Sequence, residues 1–386
     1  MRLLYFAPVP YRSYWQRPHY MVRALLAHAY EQVIWIDPPP TRLPRWSDLA
    51  RLGRAGEHRA AEQQAGEALL PRLTVLQPGG LPLEPLPLLN RCNDWIGWRR
   101  IKRTLQGLQA GCSPNDWDIG VGRPSRLAGW ALRTLPARAR FMDVMDDYPA
   151  FYRGLSRLAM QRTQADLLQR CDTLFCSQPQ LAAQLVGCAP VAPVLIANGY
   201  DMARLPPLST CATLAACRPQ PVIGFVGTLA AWFDWALVIE LAQALPAVTV
   251  RLVGPRAGGV PASLPPNIAL LPACPVDEAI RHCMEFTVGL IPFLDNPLTR
   301  SVDPIKYYEL AALGVPIWSS SFGSMAQRLG QSGVARIGPG SDWAALWRQA
   351  SRYAAQPDAL ARFRAEHDWS ARFSALPQQL GLPGSS

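Results

Sequence analysis

Lysine is almost absent from this chain of 386 residues. Lys102 and Lys306 are its two lysines, although lysine and arginine together number 38 and the formal net charge is +10. This charge favours anionic partners such as nucleotides, anionic lipid or nucleic acid, although a general bias of the sequence towards arginine, alanine and proline accounts for part of it. A lysine retained in a chain that otherwise uses arginine marks a position whose chemistry needs examination.

Several other patterns are missing. The nine cysteines form no CxxC pair, which predicts reduced, mostly buried thiols in a cytosolic protein rather than a disulfide framework. The apolar start MRLLYFAPVPYR is too short for a signal peptide, and without an apolar run of about 18 residues no membrane-spanning helix is expected. No GxGxxG follows the first predicted strand of either half, which disfavours a dinucleotide oxidoreductase.

The apolar residues, which make up 49% of the chain, are concentrated in short continuous runs that alternate with helix-length segments. Strands that are apolar on both faces are typical of parallel sheets covered by helices on each side. The pattern predicts an α/β protein with two doubly wound parallel-sheet domains. The predicted strands lie at 2–9, 32–37, 73–76, 118–122, 140–145, 173–177, 193–198, 221–227, 248–254, 267–272, 288–293 and 315–320.

The domain boundaries follow from the segment between these two sets of strands, which has no clean period and ends in proline and polar residues. We predict an N-terminal domain over 1–203 and a C-terminal domain over 220–357. The last helical pattern, in 358–386, either extends the second domain or crosses back and packs on the first.

The segment DPIKYYELAALG predicts a short helix with Asp303 as N-cap, Pro304 in the first helical position and Gly314 at the C-terminal cap. It follows the predicted strand 288–293, so its N-terminus should lie at the carboxyl edge of the sheet, where doubly wound folds bind ligands. Ile305, beside Pro304, lies at this helix start.

Lys306 is unfavourable in the first turn of this helix, because it opposes the helix dipole at a cost of about 0.3–1 kcal/mol. The cost disappears if an anion is bound there by backbone N–H groups together with the compact ammonium group. Glu309, three residues on, could accept bonds from both hydroxyls of a ribose. The pair therefore predicts a nucleoside diphosphate site, with a simple surface ion pair between Lys306 and Asp303 or Glu309 as the alternative.

At this helix the sequence resembles a known family. PIKYYELAALGVP is similar to the PxKxxExxAxGxP donor-site helix of GT-B glycosyltransferases of the family-4 type. Further segments follow in the order of that family: SYWQRPHYMV, CSQPQL, NGYD, GFVGTL, RLVGP, VGLIPF and DWSARF. The resemblance covers nearly the whole chain and implies two Rossmann-like domains facing a cleft, a nucleotide-diphosphate sugar held by the second domain, and no metal or other cofactor.

The resemblance also implies roles for individual residues. Lys306 would contact the diphosphate and Glu309 the ribose, with Pro304 and Ile305 at the same helix start. The loop under the phosphates would be formed by Gly227, Thr228 and Leu229.

Two positions depart from the family-4 pattern. Ser301 stands where a second glutamate is usual, and AAWFDW at 230–235 stands where an arginine and a lysine usually follow the phosphate loop. The diphosphate would then need other cations, for which Arg256 and Arg300 are candidates. In this respect the chain looks closer to bacterial exopolysaccharide transferases of the xanthan glucuronosyltransferase type.

A catalytic base is predicted at the end of the strand 140–145. Transfer with inversion needs a group that takes the proton of the acceptor hydroxyl. Asp146 is our candidate, and its position resembles that of the catalytic aspartate of the xanthan-type enzymes. The adjacent Asp147 could raise its pKa by charge repulsion. The alternative is that both aspartates cap the following helix.

Arg17 and His19 follow the first strand, at the same predicted edge. Arg17 fits an acceptor phosphate or a sugar carboxylate, and His19 could bind the acceptor or serve as an alternative base; a structural role for the histidine is the alternative. Asp116 and Asp118 spell DWD, but this motif precedes a strand and lies away from the active edge, so we reject it as a metal site. No cluster of histidine and cysteine suggests a metal either.

A membrane contact is predicted in 94–106, DWIGWRRIKRTLQ, where aromatic and basic residues could form an amphipathic helix on anionic lipid, with the proline-rich stretch 81–90 beside it. The alternative is an ordinary helix packed on the first sheet. Nucleic-acid binding is not expected, because the aromatic residues mark no recognition motif.

Together these features predict a cytoplasmic glycosyltransferase, peripheral on the inner membrane face, that transfers a sugar to a glycan or lipid-linked acceptor in surface or exopolysaccharide synthesis. Two alternatives stay open: a nucleotide-sugar 2-epimerase on the same fold, and a binding module without catalysis.

Overall fold

The computed structural model describes residues 1–39, 70–79, 86, 91–96, 98–208 and 220–382. The chain forms two compact units. Unit 1 comprises Met1–Ala197 together with Phe373–Ser386, and unit 2 comprises Asn198–Arg372. The segment predicted as 358–386 is therefore divided: it belongs to unit 2 as far as Arg372, and its remainder belongs to unit 1.

Unit 1 is built on a seven-stranded sheet in which every described pairing is parallel, in the order β3-β2-β1-β4-β5-β6-β7. The strands are β1 Arg2–Phe6, β2 Gln32–Ile36, β3 Leu73–Leu76, β4 Trp117–Val121, β5 Ala139–Val144, β6 Thr173–Cys176 and β7 Val194–Leu195. The described helices are α1 Arg17–His28, α2 Cys92–Ile96, α3 Trp98–Gln109, α4 Arg126–Thr134, α5 Gly154–Leu168 and α6 Pro179–Leu185, and from the C-terminal segment Leu376–Gln379.

Unit 2 is built on a six-stranded sheet, again with parallel pairings, in the order β10-β9-β8-β11-β12-β13. The strands are β8 Val222–Val226, β9 Thr249–Val253, β10 Ile268–Leu271, β11 Val288–Ile291, β12 Ile317–Ser319 and β13 Val334–Arg336. The described helices are α7 Trp235–Ala244, α8 Val276–Glu285, α9 Ile305–Ala312, α10 Trp343–Ser351, α11 Pro357–His367 and α12 Trp369–Phe373, the last of which reaches one residue into unit 1.

The prediction of two doubly wound parallel sheets is confirmed. Each of the twelve predicted strands coincides with an observed one. Most of them are largely buried, as an unbroken apolar run predicts, while β3, β7 and β10 are partly exposed. The thirteenth strand, Val334–Arg336, was missed. It is short, lies at the edge of its sheet and has one buried residue of three, so its sequence carries no apolar run.

The helix at 98–109 belongs to the segment for which the sequence predicts either a membrane contact or packing on the first sheet. Its apolar face is used inside unit 1, where Trp98, Ile101 and Leu105 are at most 7% exposed and join the core beneath the sheet. Lys102 binds the Asp94 carboxylate at 2.5 Å. The apolar residues Trp98, Ile101 and Leu105 of α3 are thus buried, while Leu108 near its end is 39% exposed. The side chains of residues 95 and 96, and the stretches 81–85 and 87–90, lie outside the described residues. Over the part of the chain that is described, no helix combines the length and the apolar character needed to cross a bilayer.

Candidate functional site

The strand order of unit 2 places a topological switch point between β8 and β11. The chain leaves β8 towards β9 on one side, and the later strand β11 pairs with β8 on its other side. Loops that leave neighbouring strands in opposite directions open a crevice at the carboxyl edge, where doubly wound folds bind ligands. The two loops are joined by backbone bonds from Asp234 to Pro292, at 2.8 Å, and from Leu294 to Trp232, at 2.8 Å.

The loop after β8 carries the predicted phosphate-binding residues and is fixed by its neighbour after β9. The Leu229 N–H donates to the Pro255 carbonyl at 2.9 Å, and the Ala257 N–H donates back to Leu229 at 2.8 Å. Gly254 has φ +144°, and a Cβ there would lie 2.0 Å from the Gly227 carbonyl oxygen, so the close approach of the two loops requires glycine.

Thr228 and Arg256 both lie on this pair of loops. Thr228 is half-buried, and Arg256, held opposite Leu229 by a parallel bridge, is exposed. Among the described residues Arg256 has no ion pair. Arg300, the other candidate cation, is bound to the Asp295 carboxylate at 3.1 Å. Arg256 is therefore the better placed of the two to meet an anion.

The helix that carries Lys306 begins one residue later than predicted. Pro304 is its N-cap, and the first helical residue is Ile305. In the described part of the molecule, the backbone N–H groups of Ile305 and Lys306 bond to no protein acceptor. At the C-terminus, Gly314 has φ +71° and donates to the Ala311 carbonyl at 3.0 Å, as predicted for this cap. The free N–H groups at the helix start leave room for an acceptor from a ligand.

Lys306 and Glu309 form an ion pair at 2.6 Å on this helix, with their side chains 31% and 25% exposed. Burial is the largest influence and disfavours the charged ammonium group, but the attraction and hydrogen bond of Glu309 together with the influence of Cys283 and Cys274 outweigh it and raise the pKa of Lys306 above its usual value. The ion pair that the sequence left as an alternative is thus present. Both groups remain partly exposed beside the free N–H groups of the helix start.

Asp303 is not the N-cap that the sequence predicted. Its carboxylate is 1% exposed and is the centre of a buried network that receives four bonds. The donors are the Asn198 backbone N–H at 2.8 Å, the Tyr308 hydroxyl at 2.9 Å, the Ser324 hydroxyl at 2.8 Å and Arg328 Nη2 at 2.7 Å. The network fixes the loop immediately before the candidate site.

Arg328 was missed by the sequence analysis. Its guanidinium lies 4.0 Å from the ring centre of Tyr307 and 4.8 Å from that of Tyr308, besides its bond to Asp303. Its position after β12 belongs to no recognisable motif, so only the tertiary structure reveals it. Ser301, at the position where the family usually has a glutamate, is 1% exposed and its hydroxyl has no partner among the described residues.

In unit 1, Arg17 lies inside the protein. It is 1% exposed and grips the buried Asp143 through Nε at 2.9 Å and Nη2 at 2.8 Å, while Nη1 donates to the Ile196 carbonyl at 2.6 Å. The guanidinium group of Arg17 thus donates to oxygen atoms of the protein itself. We therefore assign Arg17 to holding β5 and the residue after β7 together rather than to binding a sugar acceptor.

His19 is also structural. It is fully buried, its Nδ1 accepts the Gln16 backbone N–H at 3.1 Å, and its Nε2 lies 3.1 Å from the Tyr11 carbonyl, to which it must therefore donate. Burial lowers the pKa of His19 to about 4, and its ring packs against Trp15 and Trp35. With both nitrogens engaged, the imidazole has no lone pair for an acceptor proton, and its predicted role as base or ligand residue is not supported.

Asp146 lies two residues beyond the end of β5 and is partly exposed. No side chain in the described ranges donates to its carboxylate. Burial raises the pKa of Asp146 to about 7; Arg17 acts against this, and the charges of Asp143 and Asp147 add to it. The repulsion predicted from Asp147 is therefore present but secondary to burial. A carboxyl group that titrates near neutrality at the edge of a sheet has the properties of a general base.

Asp147 occupies the N-cap position of the short 3₁₀ turn Tyr148–Phe151, but its side chain makes no capping bond. Burial raises the pKa of Asp147 also, while the Ala150 backbone N–H and, less strongly, the charge of Arg157 favour its carboxylate form and act against this rise. The alternative that both aspartates are side-chain caps is thus not what the structure shows.

One group of possible metal ligands was not recognised in the sequence. Cys274, Glu278 and His282 each offer an atom within 4.8 Å of the others. However, Arg251 Nη1 lies 3.3 Å from His282 Nδ1 and can only donate, which leaves the imidazole proton on Nε2 and no lone pair for a metal. In the DWD motif, Asp118 is buried and binds Arg138 at 2.6 Å.

Comparison with known proteins identifies one related sequence and several structures with a similar fold. No family model matches the chain. TuaH of Bacillus subtilis strain 168, which is named as a teichuronic acid biosynthesis glycosyltransferase, is 25% identical over 183 residues, or 44% of this chain and 46% of that protein. The chain thus matches about half the length of this relative.

Three solved structures are similar over nearly the whole chain. Sucrose-phosphate synthase of Thermosynechococcus elongatus is 16% identical with a TM-score of 0.64, covering 98% of this chain and 97% of that one. HepE of Anabaena, solved with UDP and glucose, is 12% identical with a TM-score of 0.60, covering 98% and 99%. A glycosyltransferase of avilamycin A biosynthesis is 13% identical with a TM-score of 0.57, covering 98% and 96%. These likenesses confirm the fold, two doubly wound units of the GT-B kind.

Proposed function

We propose that the chain is a glycosyltransferase that takes a sugar from a nucleotide-diphosphate sugar and transfers it to a hydroxyl group of a glycan acceptor in surface-polysaccharide synthesis. The observation that carries the proposal is the start of helix α9 at the switch point of unit 2, where two free N–H groups, Lys306 and Glu309 are gathered. The relative named for teichuronic acid synthesis and the complex of HepE with UDP and glucose support the same chemistry.

In this proposal, binding of the donor breaks the ion pair between Lys306 and Glu309, and each of the two side chains then contacts the donor. A diphosphate oxygen accepts from the N–H groups of Ile305 and Lys306, and the ammonium group of Lys306 turns from Glu309 to the phosphate. Glu309, released from the ion pair, accepts the ribose hydroxyls. Thr228 and Arg256 lie on the paired loops of the same unit and contact the phosphates from there.

Transfer proceeds with inversion in this proposal. The acceptor oxygen forms a bond to the anomeric carbon, the bond from that carbon to the diphosphate breaks, and its electron pair leaves on the diphosphate. The acceptor proton passes to Asp146, whose pKa of about 7 allows it to be ionised at neutral pH and still bind the proton. Lys306 and the helix N–H groups stabilise the charge of the leaving group, and the proposed steps use no metal ion.

The first test is a panel of nucleoside diphosphates and their sugars, with UDP compounds first because HepE was solved with UDP. A ligand that binds the folded chain raises its melting temperature by mass action. We expect one nucleotide base to be strongly preferred. If no nucleoside diphosphate changes the melting temperature at millimolar concentration, the proposal fails.

The second test separates transfer from the alternatives. The preferred donor is incubated with and without extracts of lipid-linked glycans, and release of nucleotide and the fate of the sugar are followed by mass spectrometry. Acceptor-dependent transfer supports the proposal. Conversion of the donor sugar without an acceptor would show an epimerase, and binding without turnover would show a non-catalytic module.

A further inference from the structure

The largest exposed apolar side chains of unit 1 include three that follow Asp146 closely in sequence. Phe151, Leu155 and Leu158 are 53%, 69% and 49% exposed. Leu155 and Leu158 are three residues apart on helix α5 and therefore share one face, and Phe151 ends the turn just before that helix. Single exposed leucines are ordinary, but three large apolar residues within eight positions form a patch that needs a partner.

Three arginines accompany this patch: Arg162 shares the helix face of Leu155 and Leu158, and Arg153 and Arg157 lie beside these leucines in sequence. Arg153, Arg157 and Arg162 are all exposed, and none of them forms an ion pair with a described carboxylate. No acidic residue occurs between 148 and 165. The nearest one that follows, Asp166, is already bound by Arg133 and Arg170. The apolar–arginine face, defined as Phe151, Arg153, Leu155, Arg157, Leu158 and Arg162, therefore carries a net positive charge, with Asp147 as the nearby carboxylate that interacts with Arg157.

We propose that the apolar–arginine face docks on an anionic membrane surface, with its apolar side chains among the lipid acyl chains and its arginines at the headgroups. Apolar residues flanked by arginines match a lipid interface in both polarity and charge. A second copy of this chain fits less well, because the same arginines would meet one another across a two-fold axis. The patch of three apolar side chains is also small for a stable dimer.

The position of this face suits the proposed reaction, on which this part of the inference rests. Tyr148 contacts Phe151 ring to ring at 6.2 Å, and the Tyr148 N–H donates to the Asp146 carbonyl at 3.0 Å. The candidate base and the apolar–arginine face are thus joined by one rigid turn. Docking this face on lipid would hold Asp146 near the membrane surface, where the hydroxyl of a lipid-linked acceptor is presented.

The test is co-sedimentation with vesicles of phosphatidylcholine alone and of phosphatidylcholine with phosphatidylglycerol. We expect binding to the anionic vesicles that falls with added salt. The double variant Leu155→Ser/Leu158→Ser and the triple variant Arg153→Gln/Arg157→Gln/Arg162→Gln should each reduce the partition coefficient by about tenfold or more. All five side chains are exposed, so these variants should fold, which their melting temperatures will check.

The matched control removes three arginines from α3, a helix whose described residues expose one large apolar side chain, Leu108. Arg99, Arg100 and Arg103 are exposed on α3, where Trp98, Ile101 and Leu105 are buried. Arg99→Gln/Arg100→Gln/Arg103→Gln should reduce vesicle binding much less than the triple variant of the apolar–arginine face.

Three results would overturn the proposal. The first is no binding of the wild-type chain to anionic vesicles, and the second is an equal loss in both triple variants, which would mean that net charge alone attracts the chain. The third is dimerisation, seen by light scattering, that the Leu155→Ser/Leu158→Ser variant abolishes. None of these readouts depends on nucleotide binding, so they remain distinct from a failure of the proposed reaction.

Discussion

Arg328 Nη2 donates to Oδ1 of Asp303 at 2.7 Å. The Arg328 side chain is 14% exposed and that of Asp303 is 1% exposed, so this ion pair lies inside unit 2. Asp303 itself precedes Lys306 by three residues. Asp303 also receives bonds from Tyr308 and Ser324. The pair therefore connects the start of helix α9 to the segment after β12. Its geometry fixes the loop from which the candidate donor site begins.

Replacing Arg328 by methionine should destabilise unit 2. The change keeps most of the side-chain volume but leaves the buried Asp303 without its positive partner, which costs about 3–5 kcal/mol. The control Arg300→Met removes an ion pair whose arginine is 62% exposed and should change the free energy of unfolding by less than about 1 kcal/mol. Urea denaturation measures both; similar losses in the two variants would contradict the assignment.

The two lysines provide a matched pair for donor binding. Lys306→Met should weaken nucleoside diphosphate binding about 10- to 100-fold, because a charge-assisted hydrogen bond to phosphate is lost. Lys102→Met removes the same charge from unit 1, where Lys102 binds Asp94, and should leave affinity unchanged. Isothermal titration with the preferred nucleotide gives both values. An unchanged affinity in Lys306→Met would remove the basis of the proposed donor site.

The pH dependence of sugar transfer should follow the ionisation of the Asp146 carboxyl group. A general base works in its ionised form, so kcat/KM should fall about tenfold per pH unit below a midpoint near pH 7, given that the pKa of Asp146 is raised to about 7. Asp146→Asn should lower activity by about 10²- to 10⁴-fold while nucleotide binding persists. Asp147→Asn should retain the profile, with a slightly lower midpoint. A midpoint near 7 that survives in Asp146→Asn would exclude this residue as the base.

The raised pKa of Asp146 should also make the free energy of unfolding depend on pH. Asp146 has a folded pKa raised from 3.8 to about 7, so the folded chain holds its proton more tightly than the unfolded chain does. Its stabilising contribution is complete below about pH 4 and is lost as pH rises through about 7. Asp146→Asn cannot ionise, so its stability relative to wild type should rise over this range, by roughly 1 kcal/mol or more. Denaturation at acidic and at mildly alkaline pH measures the difference, and a constant difference would contradict the raised pKa.

The parts of the candidate site that the sequence predicted depend on local chemistry. The helix of Lys306 and Glu309, its Gly314 cap and the strand before it are encoded within a few neighbouring residues, and all occur as expected. The misassigned residues depend on distant partners. Asp303 was assigned as a helix cap because aspartate before proline is a typical start signal for a helix. In the structure its carboxylate is buried and bound to Arg328, 25 positions away.

Arg17 and His19 show the same limit in unit 1. Each has a residue type that serves catalysis and each follows a strand, which is all that the sequence displays. Arg17 is occupied by Asp143, 126 positions away, and His19 by the backbone of Tyr11 and Gln16. Whether a charged or titratable side chain faces solvent or its own protein depends on these contacts, and no short pattern records them.

The sequence by itself determined the two parallel sheets and the helix at the candidate donor site, because burial on both faces and helix start signals are local properties of neighbouring residues. The tertiary structure alone decided which ionisable groups remain open to a partner. It buried Arg17, His19 and Asp303, left Asp146 with a pKa near neutrality, and left the arginines of the apolar–arginine face in solvent. The physical reason is that desolvation and charge pairing depend on what surrounds a group in space, and those surroundings are assembled from residues far apart in the chain.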